Sequence, residues 1–386
     1  MFFLLSDEGT SDGTTNIDKT YRYDFFKYLR SETVRRLSYA NIAKTCRFTE
    51  IIHTWKTRAG NSSSGSVVWT CRLGEMCGGN GDRLRGVTGA LYNAVRIGYD
   101  LSIQWDNPIN MDEVLHYASP LNSTPREINF TQTLAVQSFH PHISTLNECE
   151  WKKYNTVVIQ SNEMYRTSCN VGEYDLNPFF FENSVKNITD TRWQRNPRAG
   201  CIFWFLFSLN SALQNVIGKE LGSFHDWIMA NNRSHYPTIA VHFRGGDHYL
   251  DVRETNMKLD KRLEVTSLHQ FISCADKIAG AGSQLPTIFL CADSSEVKSF
   301  AKKFYGERVY SSSVNPFHSD RAPNSSTSGD KWYARNGTLG SWADLLLLGM
   351  ADGIVMSSSG YSVLASQIAM YSRDQIMTFD ESWSIA

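Results

Sequence analysis

The fold is decided by residues 237–251, Pro-Thr-Ile-Ala-Val-His-Phe-Arg-Gly-Gly-Asp-His-Tyr-Leu-Asp. Residues 238–241 are apolar and mostly β-branched, which is typical of a buried strand in a parallel sheet. The pattern breaks at Gly245 and Gly246, where the backbone can adopt conformations closed to other residues. The stretch therefore predicts a strand that ends in a tight turn.

Polar side chains follow this strand directly. His242 and Arg244 lie at its end, and Asp247 lies just beyond the glycines. Ligands of open α/β sheets bind at the carboxyl ends of the strands, and a guanidinium offers a planar fork of donors to a phosphate. We therefore expect His242 and Arg244 to contact a phosphorylated ligand.

The composition is that of a folded, soluble protein. The chain has 386 residues, enough for two domains of ordinary size, and 41% of them are hydrophobic. A net charge of −1 gives no electrostatic argument for binding nucleic acid or an anionic membrane. The apolar start, residues 1–5, is too short for a signal peptide or a membrane anchor, and no later run is long enough to span a bilayer.

The eight cysteines are scattered, without a Cys-x-x-Cys pair, which argues against a zinc site. Cys201, Cys274 and Cys291 fall in apolar patterns, where free buried thiols are common. One or two disulfides are expected only if the chain enters a secretory lumen. The compartment therefore stays open: cytoplasmic for a complete chain, Golgi or secretory lumen for a chain whose anchor has been removed.

The first half of the chain predicts an extension followed by a Rossmann-like domain. Residues 1–64 form the extension, with one helix around 21–43, and residues 65–225 form the domain. Its first unit is a strand at 66–73, a glycine-rich turn at 74–82, a helix from 84 to 98 and a strand at 101–105. This order is a βαβ unit. The turn could cradle a phosphate or be only a tight turn under a packed helix.

Two further regions complete this half. Residues 106–195 are predicted to be loop-rich, and their aromatic side chains could either stack on sugar rings or pack on the core. Residues 202–221 predict one apolar helix that connects the two domains.

The second half, residues 226–386, alternates strands with helices, which predicts a second parallel sheet. The predicted strands are 238–243, 286–292, 308–310 and 353–356, and the predicted helices are 267–279, 295–302, 342–350 and 362–371.

Three of these strands end in polar residues that should meet at one edge of the sheet. Asp293 could accept hydrogen bonds from a base such as guanine, or it could, like Ser294, only cap the following helix. The serines after the last strand could bind phosphate oxygens with the helix amides, or they could form an ordinary turn. The three sets are His242 and Arg244, Asp293 and Ser294, and Ser357, Ser358 and Ser359.

Four motifs in order resemble those of the GDP-fucose-dependent fucosyltransferases of the α1,2, α1,6 and protein-O-fucosyl type. They are His-x-Arg-x-x-Asp at 242–247, Cys-Ala-Asp-Ser at 291–294, the helix, strand and serines of 336–362, and the turn Gly-Asn-Gly-Asp-Arg-Leu-Arg-Gly at 79–86. The resemblance implies a GT-B fold, an α/β architecture in which two Rossmann-like doubly wound domains face a cleft. It departs from the α1,2 and α1,6 pattern at Gly245, where a second arginine is usual. Arg253 and Arg335 are the two candidates to supply that charge.

The resemblance also implies a reaction and its residues. L-Fucose would move with inversion from GDP-fucose to a hydroxyl of a glycan or glycoprotein, without a metal, a cofactor, nucleic acid or a membrane span. The implied donor-binding residues are His242, Arg244, Asp293, Ser294, Ser357, Ser358 and Ser359. The implied catalytic residue for the leaving group is Arg244, and the cleft-loop residues are Asn80, Asp82 and Arg83. The candidates for the base lie beyond the motif and are Asp247, Asp251 and Glu254. Asp247 has a favoured alternative role, which is to lock the loop to backbone amides.

Two alternatives remain open. One keeps the fold and changes the donor to another nucleotide sugar, and the other is a non-catalytic protein that binds a glycan or a nucleotide on the same scaffold. A carbohydrate hydrolase is disfavoured, because no close pair of carboxylates on adjacent strand ends is evident.

Overall fold

The structure is a computed structural model. It describes residues 24–59, 65–72, 77–117, 133–138, 156–161, 198–245, 263–280, 285–314, 317, 328–357 and 359–379. In this part of the chain, two parallel sheets are covered by helices, which confirms the predicted α/β class. Among the same residues, no helix is both long and apolar enough to cross a membrane.

The N-terminal extension is a series of short helices. A 3₁₀ turn (Asp24–Tyr28) precedes α1 (Ser31–Arg36), α2 (Tyr39–Thr45) and α3 (Phe48–Ala59). The prediction of one helix over 21–43 is therefore wrong for its described part. The helix is interrupted because Arg30 and Ser38 have extended backbones, and the Ser38 hydroxyl accepts a hydrogen bond from the Asn41 amide at 3.3 Å to start α2.

In the described part of the chain, the first sheet consists of β1 (Ser66–Cys71), β2 (Asp100–Trp105), β4 (Thr133–Ser138) and β5 (Thr156–Ser161). These four strands are parallel and lie in the order β2-β1-β5-β4. Helix α4 (Asn80–Ile97) joins β1 to β2 and ends at Gly98, whose φ of 76° is left-handed, so the predicted βαβ unit is confirmed. The strands β4 and β5 were not predicted, because residues 106–195 were interpreted as loops.

The connection between the sheets is not one helix. It is α5 (Arg198–Leu206), a short strand β6 (Phe207–Leu209) and α6 (Ser211–Ala230). Strand β6 pairs antiparallel with β3 (Leu115–Tyr117), which follows a 3₁₀ turn at Met111–Glu113. The helical pattern stops because Asn210 is extended and its side chain caps α6 by accepting from the Leu213 amide at 2.9 Å. The predicted domain boundary at 225/226 falls within α6 and stays a prediction.

Over the residues that the structure describes, the second sheet consists of β7 (Thr238–Phe243), β8 (Thr287–Ala292), β9 (Val309–Ser311), β10 (Gly353–Met356) and β11 (Ile376–Thr378). These five strands are parallel and lie in the order β11-β10-β7-β8-β9. The helices are α7 (Leu268–Ala279), α8 (Ser295–Tyr305), α9 (Ser328–Leu348) and α10 (Gly360–Ile368), with 3₁₀ turns at Val265–Ser267, Gly306–Arg308 and Arg373–Gln375. The four predicted strands and four predicted helices are present; α9 begins earlier than expected, and β11 was not predicted.

One apolar core joins the two sheets. It runs from Trp69 of β1, through α5, α9 and α10, to Met356 of β10, whereas a second core fills the opposite face of the second sheet. The Trp204 indole donates to the carbonyl of Ile368 at 2.8 Å, which fixes α5 against α10. The sheets are therefore held by shared packing.

Among the described residues, two disulfides add covalent links. Cys46 bonds to Cys201 across 155 positions, and Cys71 bonds to Cys77 across the turn after β1. The prediction that Cys201 is free is therefore wrong, because α2 and α5 bring it against Cys46. Cys274 and Cys291 are free thiols, as expected.

Candidate functional site

The strand order of the second sheet creates a crevice at the end of β7. Along the chain, β8 and β9 follow on one side of β7, whereas β10 and β11 are added on its other side. The connections therefore diverge between β7 and β10, and such a switch point is where doubly wound sheets bind their ligands. His242 lies on β7 here, and Ser357 follows β10.

His242 is held neutral in this crevice. Its ring is 6% exposed, its Nδ1 lies 2.9 Å from the Ser357 hydroxyl, and its ring centre lies 5.1 Å from that of Tyr361. Burial, together with the nearby charge of Arg244, lowers the pKa of His242 to about 3. The imidazole can therefore donate or accept a hydrogen bond at neutral pH without adding charge.

Arg244 follows β7 and is held by the end of β8. Its Nη1 lies 3.4 Å from Oδ2 of Asp293, and its side chain is 15% exposed. The other carboxylate oxygen of Asp293 accepts from the Gly245 amide at 2.8 Å. Asp293 thus positions the loop that carries Arg244, and a contact between Asp293 and a base stays a prediction.

Helix caps complete the edge of the sheet. The Ser294 hydroxyl accepts from the amides of Glu296 and Val297, and the Ser359 hydroxyl accepts from the amide of Tyr361. Of the two residues predicted as caps of α8, Ser294 is the one that caps it. The positive ends of the α8 and α10 dipoles therefore lie at this edge.

The serine turn after β10 is tied together by a residue that the sequence did not single out. The Ser362 hydroxyl donates to the carbonyls of Ser357 and Ser359, at 3.0 and 3.2 Å. Ser358 lies outside the described residues. Ser362 is the first residue of the predicted helix 362–371. A serine at that position gives no sequence signal that it bonds to the carbonyls of the preceding turn.

The cleft-loop residues of the first sheet have several structural contacts. The Asp82 carboxylate accepts from the Gly79 amide at 3.2 Å, and the Asn80 side chain donates to the Ser341 hydroxyl at 3.1 Å. Arg83 is completely buried and donates to the carbonyls of Gly78 and Asn107. These bonds join the turn after β1 to the segment after β2.

The two sheets meet at the carboxyl ends of their strands. A Cβ added to Gly81 at the start of α4 would lie 2.6 Å from the carbonyl oxygen of Gly360 at the start of α10. The Tyr361 hydroxyl donates to the carbonyl of Ser341, which continues the contact to Asn80. The turns after β1 and β10 therefore face each other, as expected for two domains that border a cleft.

The remaining candidates are placed as follows. Arg335 pairs with Glu113 at 3.1 Å, on the side of the first sheet. Asp247, Asp251, Arg253 and Glu254 lie outside the described residues, so the general base stays a prediction. Within the described residues, no group of three or more His, Cys, Asp or Glu side chains is arranged to hold a metal ion.

Comparison with known proteins adds structural likeness only. A scan against protein-family models finds no match, and a search of curated proteins finds none either. The chain is similar in structure to fucosyltransferases. The fucosyltransferase NodZ from Bradyrhizobium is 16% identical with a TM-score of 0.43, over 83% of this chain and 96% of that one. The α-1,6-fucosyltransferase NodZ soaked with GDP-fucose is 15% identical with a TM-score of 0.44, over the same shares.

A plant structure is similar to the same degree. A mutant of Arabidopsis thaliana FUT1 in complex with GDP is 13% identical with a TM-score of 0.49, over 90% of this chain and 81% of that one. Identities this low leave the assignment of a substrate to the residues of the site itself.

Proposed function

We propose that this protein is an inverting glycosyltransferase that moves L-fucose from GDP-fucose to a hydroxyl group of a glycan or glycoprotein. The observation that carries the proposal is the convergence of His242, Arg244, Asp293 and Ser357 at the switch point of a doubly wound sheet. Three of the four motifs that resemble the fucosyltransferases supply these residues and the turn after β10. The fourth motif supplies the facing turn of the first sheet.

The site suits the departure of a nucleoside diphosphate. Negative charge would develop on the leaving diphosphate in the transition state, and Arg244 together with the amino end of α10 would stabilise it. Neutral His242 would add a hydrogen bond without repelling Arg244. Asp293 would keep the guanidinium in place before and after the sugar leaves.

The acceptor hydroxyl would approach from the facing turn, near Asn80 and Asp82. Its deprotonation requires a general base, and Asp247, Asp251 and Glu254 are the candidates that the sequence offers. The acceptor determines which hydroxyl is used, and none of the described residues indicates a particular acceptor.

A binding titration tests the donor. GDP, UDP, ADP and GDP-fucose are titrated by calorimetry into the wild-type protein, into Arg244→Ala and into Arg35→Ala, whose arginine is exposed and paired with Glu32. We expect GDP to bind best, and Arg244→Ala to weaken it by about 1.5–3 kcal/mol, or 10- to 150-fold, the range for a lost charged hydrogen bond. The Arg35→Ala control should bind GDP like the wild type.

Other outcomes distinguish the alternatives. A preference for UDP or ADP would retain the fold and reject fucose as the donor sugar. If no nucleotide binds, the transferase proposal is wrong and a glycan-binding protein becomes the better explanation. Release of GDP from GDP-fucose only when an acceptor is added would separate transfer from binding alone.

A further inference from the structure

A second set of charged side chains lies beside the crevice, under the segment that follows β9. We call residues 312–314 the β9 segment. Glu220 of α6, Lys298 of α8 and Asp344 of α9 all reach it, and Glu220 and Asp344 are 3% and 9% exposed. Three helices therefore direct charged groups at three consecutive residues.

Lys298 and Asp344 bind the two ends of the β9 segment. The Lys298 ammonium donates to the carbonyls of Ser312 and Val314, at 2.8 and 2.6 Å. The Ser312 hydroxyl donates to Asp344 at 2.5 Å and accepts from the Val314 amide at 3.1 Å. These bonds fix both the backbone and the first side chain of the segment.

Glu220 binds the middle of the segment. Its carboxylate accepts from the Ser313 amide at 3.1 Å, from the Ser313 hydroxyl, and from the Tyr310 hydroxyl at 3.4 Å. Each residue of the β9 segment is thus bonded to at least one buried or half-buried charged group.

Burying these charged groups costs desolvation free energy, which makes the arrangement an unfavourable way to stabilise a loop. Burial raises the pKa of Asp344 to about 6, and the charge of Glu220 also raises it, whereas Lys298 and the Ser312 hydrogen bond lower it. Asp344 is therefore mostly ionised at neutral pH, and the cluster holds two buried carboxylates beside one half-buried ammonium group. Since apolar residues usually stabilise a core better than buried ions do, such a cluster indicates a need for fixed geometry.

The position of the segment suggests what that geometry serves. The edge of the sheet presents β10, β7, β8 and β9 in that order, and neighbouring strands lie about 4.8 Å apart. A diphosphate at the ends of β10 and β7 would direct its nucleoside toward β8 and β9, as in other doubly wound sheets, where the ribose lies at the end of the second strand. The β9 segment then lies about two strand spacings from Arg244, at the far end of the nucleotide.

We propose that Lys298, Asp344 and Glu220 are positioning residues that hold the β9 segment as the wall against which the base of the nucleotide packs. The inference rests on the proposed function, because it assigns one part of the donor to one part of the same sheet edge. The three side chains act through the β9 segment and need not contact the donor themselves.

The test compares a nucleotide with its phosphates alone. The dissociation constants of GDP and of inorganic pyrophosphate are measured by calorimetry for the wild type, for Lys298→Met and for Lys302→Met. Lys302 is exposed on the same helix, so the control carries the same substitution away from the β9 segment. We expect Lys298→Met to weaken GDP about tenfold and pyrophosphate less than twofold, with Lys302→Met like the wild type.

A milder variant guards against a loss of folding. Ser312→Ala removes the hydrogen bond to Asp344 and leaves the charges in place; we expect it to weaken GDP three- to fivefold with pyrophosphate unchanged. The inference would be overturned if Ser312→Ala and a folded Lys298→Met both bound GDP as tightly as the wild type does. It would also be overturned if a variant lost as much affinity for pyrophosphate as for GDP. If the wild type binds no GDP, the proposed function itself fails, which is a different outcome from a wild type that binds GDP and variants that bind it equally well.

Discussion

Arg83 and Arg244 both lie in the connection that follows an inner strand of a parallel sheet, yet their surroundings give them different tasks. Arg83 is completely buried, donates to the carbonyls of Gly78 and Asn107, and lies with its guanidinium carbon 5.6 Å from the centre of the Trp105 ring. Arg244 keeps 15% of its side chain exposed and is opposed by Asp293 at 3.4 Å. The buried arginine is thus bonded into the framework, whereas the partly exposed arginine lies beside a carboxylate at the edge of the crevice.

The same contrast extends to the two turns. The turn after β1 is closed by the disulfide between Cys71 and Cys77 and is attached to the segment after β2 through Arg83. The turn after β7 is attached through Asp293. The first turn is thus part of the framework, and the second turn presents side chains to the crevice.

The largest expected effect is on stability, in Arg83→Ala. We expect its free energy of unfolding to fall by about 4 kcal/mol, because two charged hydrogen bonds and the packing on Trp105 are lost together. Urea denaturation measures this loss. The control is Arg35→Ala, whose exposed guanidinium bonds to the Glu32 carboxylate and whose loss should change stability little.

Arg244→Ala is the opposite half of this comparison. It should lose GDP affinity with little change in the urea midpoint, whereas Arg83→Ala should lose stability first. If Arg83→Ala were as stable as the wild type, the distinction between a framework arginine and a ligand arginine would not hold.

Gly81→Ala should have the next largest effect, by separating the two sheet edges. The added methyl group would lie 2.6 Å from the Gly360 carbonyl oxygen. Because that oxygen is a backbone atom and cannot rotate away, α4 and α10 must move apart. We expect a loss of about 2–3 kcal/mol in the free energy of unfolding, since overpacking outweighs the gain in helix propensity. Thermal or urea denaturation provides the measurement.

Gly79→Ala is the matched control for Gly81→Ala. A Cβ at Gly79 meets nothing within 4 Å, and its φ of −70° suits any residue. This variant should be as stable as the wild type. Equal losses in the two variants would mean that the turn itself, and not its contact with α10, is sensitive.

The second sheet was predictable because its signals are local. Apolar strands of four to six residues alternate with helices, and polar residues follow the strand ends, so β7, β8 and β10 follow from pattern alone. The meeting of His242, Arg244, Asp293 and Ser357 at one edge of this sheet was predictable for the same reason, and their role in binding a donor stays a prediction.

What the sequence did not reveal depends on partners distant in the chain. Arg83 has the same local appearance as a ligand-binding arginine, and only the approach of Asn107 shows its role. The pairing of Cys46 with Cys201 and the contacts of Lys298 with the β9 segment likewise arise from packing, and connectivity between cysteines cannot be deduced from spacing alone. The apolar run at 202–221 has helical character throughout, but pairing with β3 converts residues 207–209 into a strand.

The smallest expected effect is the pH dependence that His242 contributes at the end of β7. His242 has a folded-state pKa of about 3, against 6.5 for an unperturbed histidine. Between these pH values the unfolded chain binds the extra proton, so His242 makes the free energy of unfolding rise with pH and level off above about 6.5. At pH 5 the loss relative to pH 7 is about 2 kcal/mol from this group, at 1.36 kcal/mol for each pH unit below 6.5.

Asp344 acts in the opposite direction, since its pKa is raised to about 6 from 3.8, and its contribution to stability is lost as the pH rises through 6. The pH dependence of the wild-type free energy of unfolding therefore combines two opposite contributions. The contribution of His242 is isolated by comparing the wild type with His242→Asn. Urea denaturation at pH 5 and pH 7 should show the wild type losing about 2 kcal/mol more than this variant. Equal losses would mean that His242 is charged in the folded protein, and the crevice would then carry two positive groups where the structure indicates one.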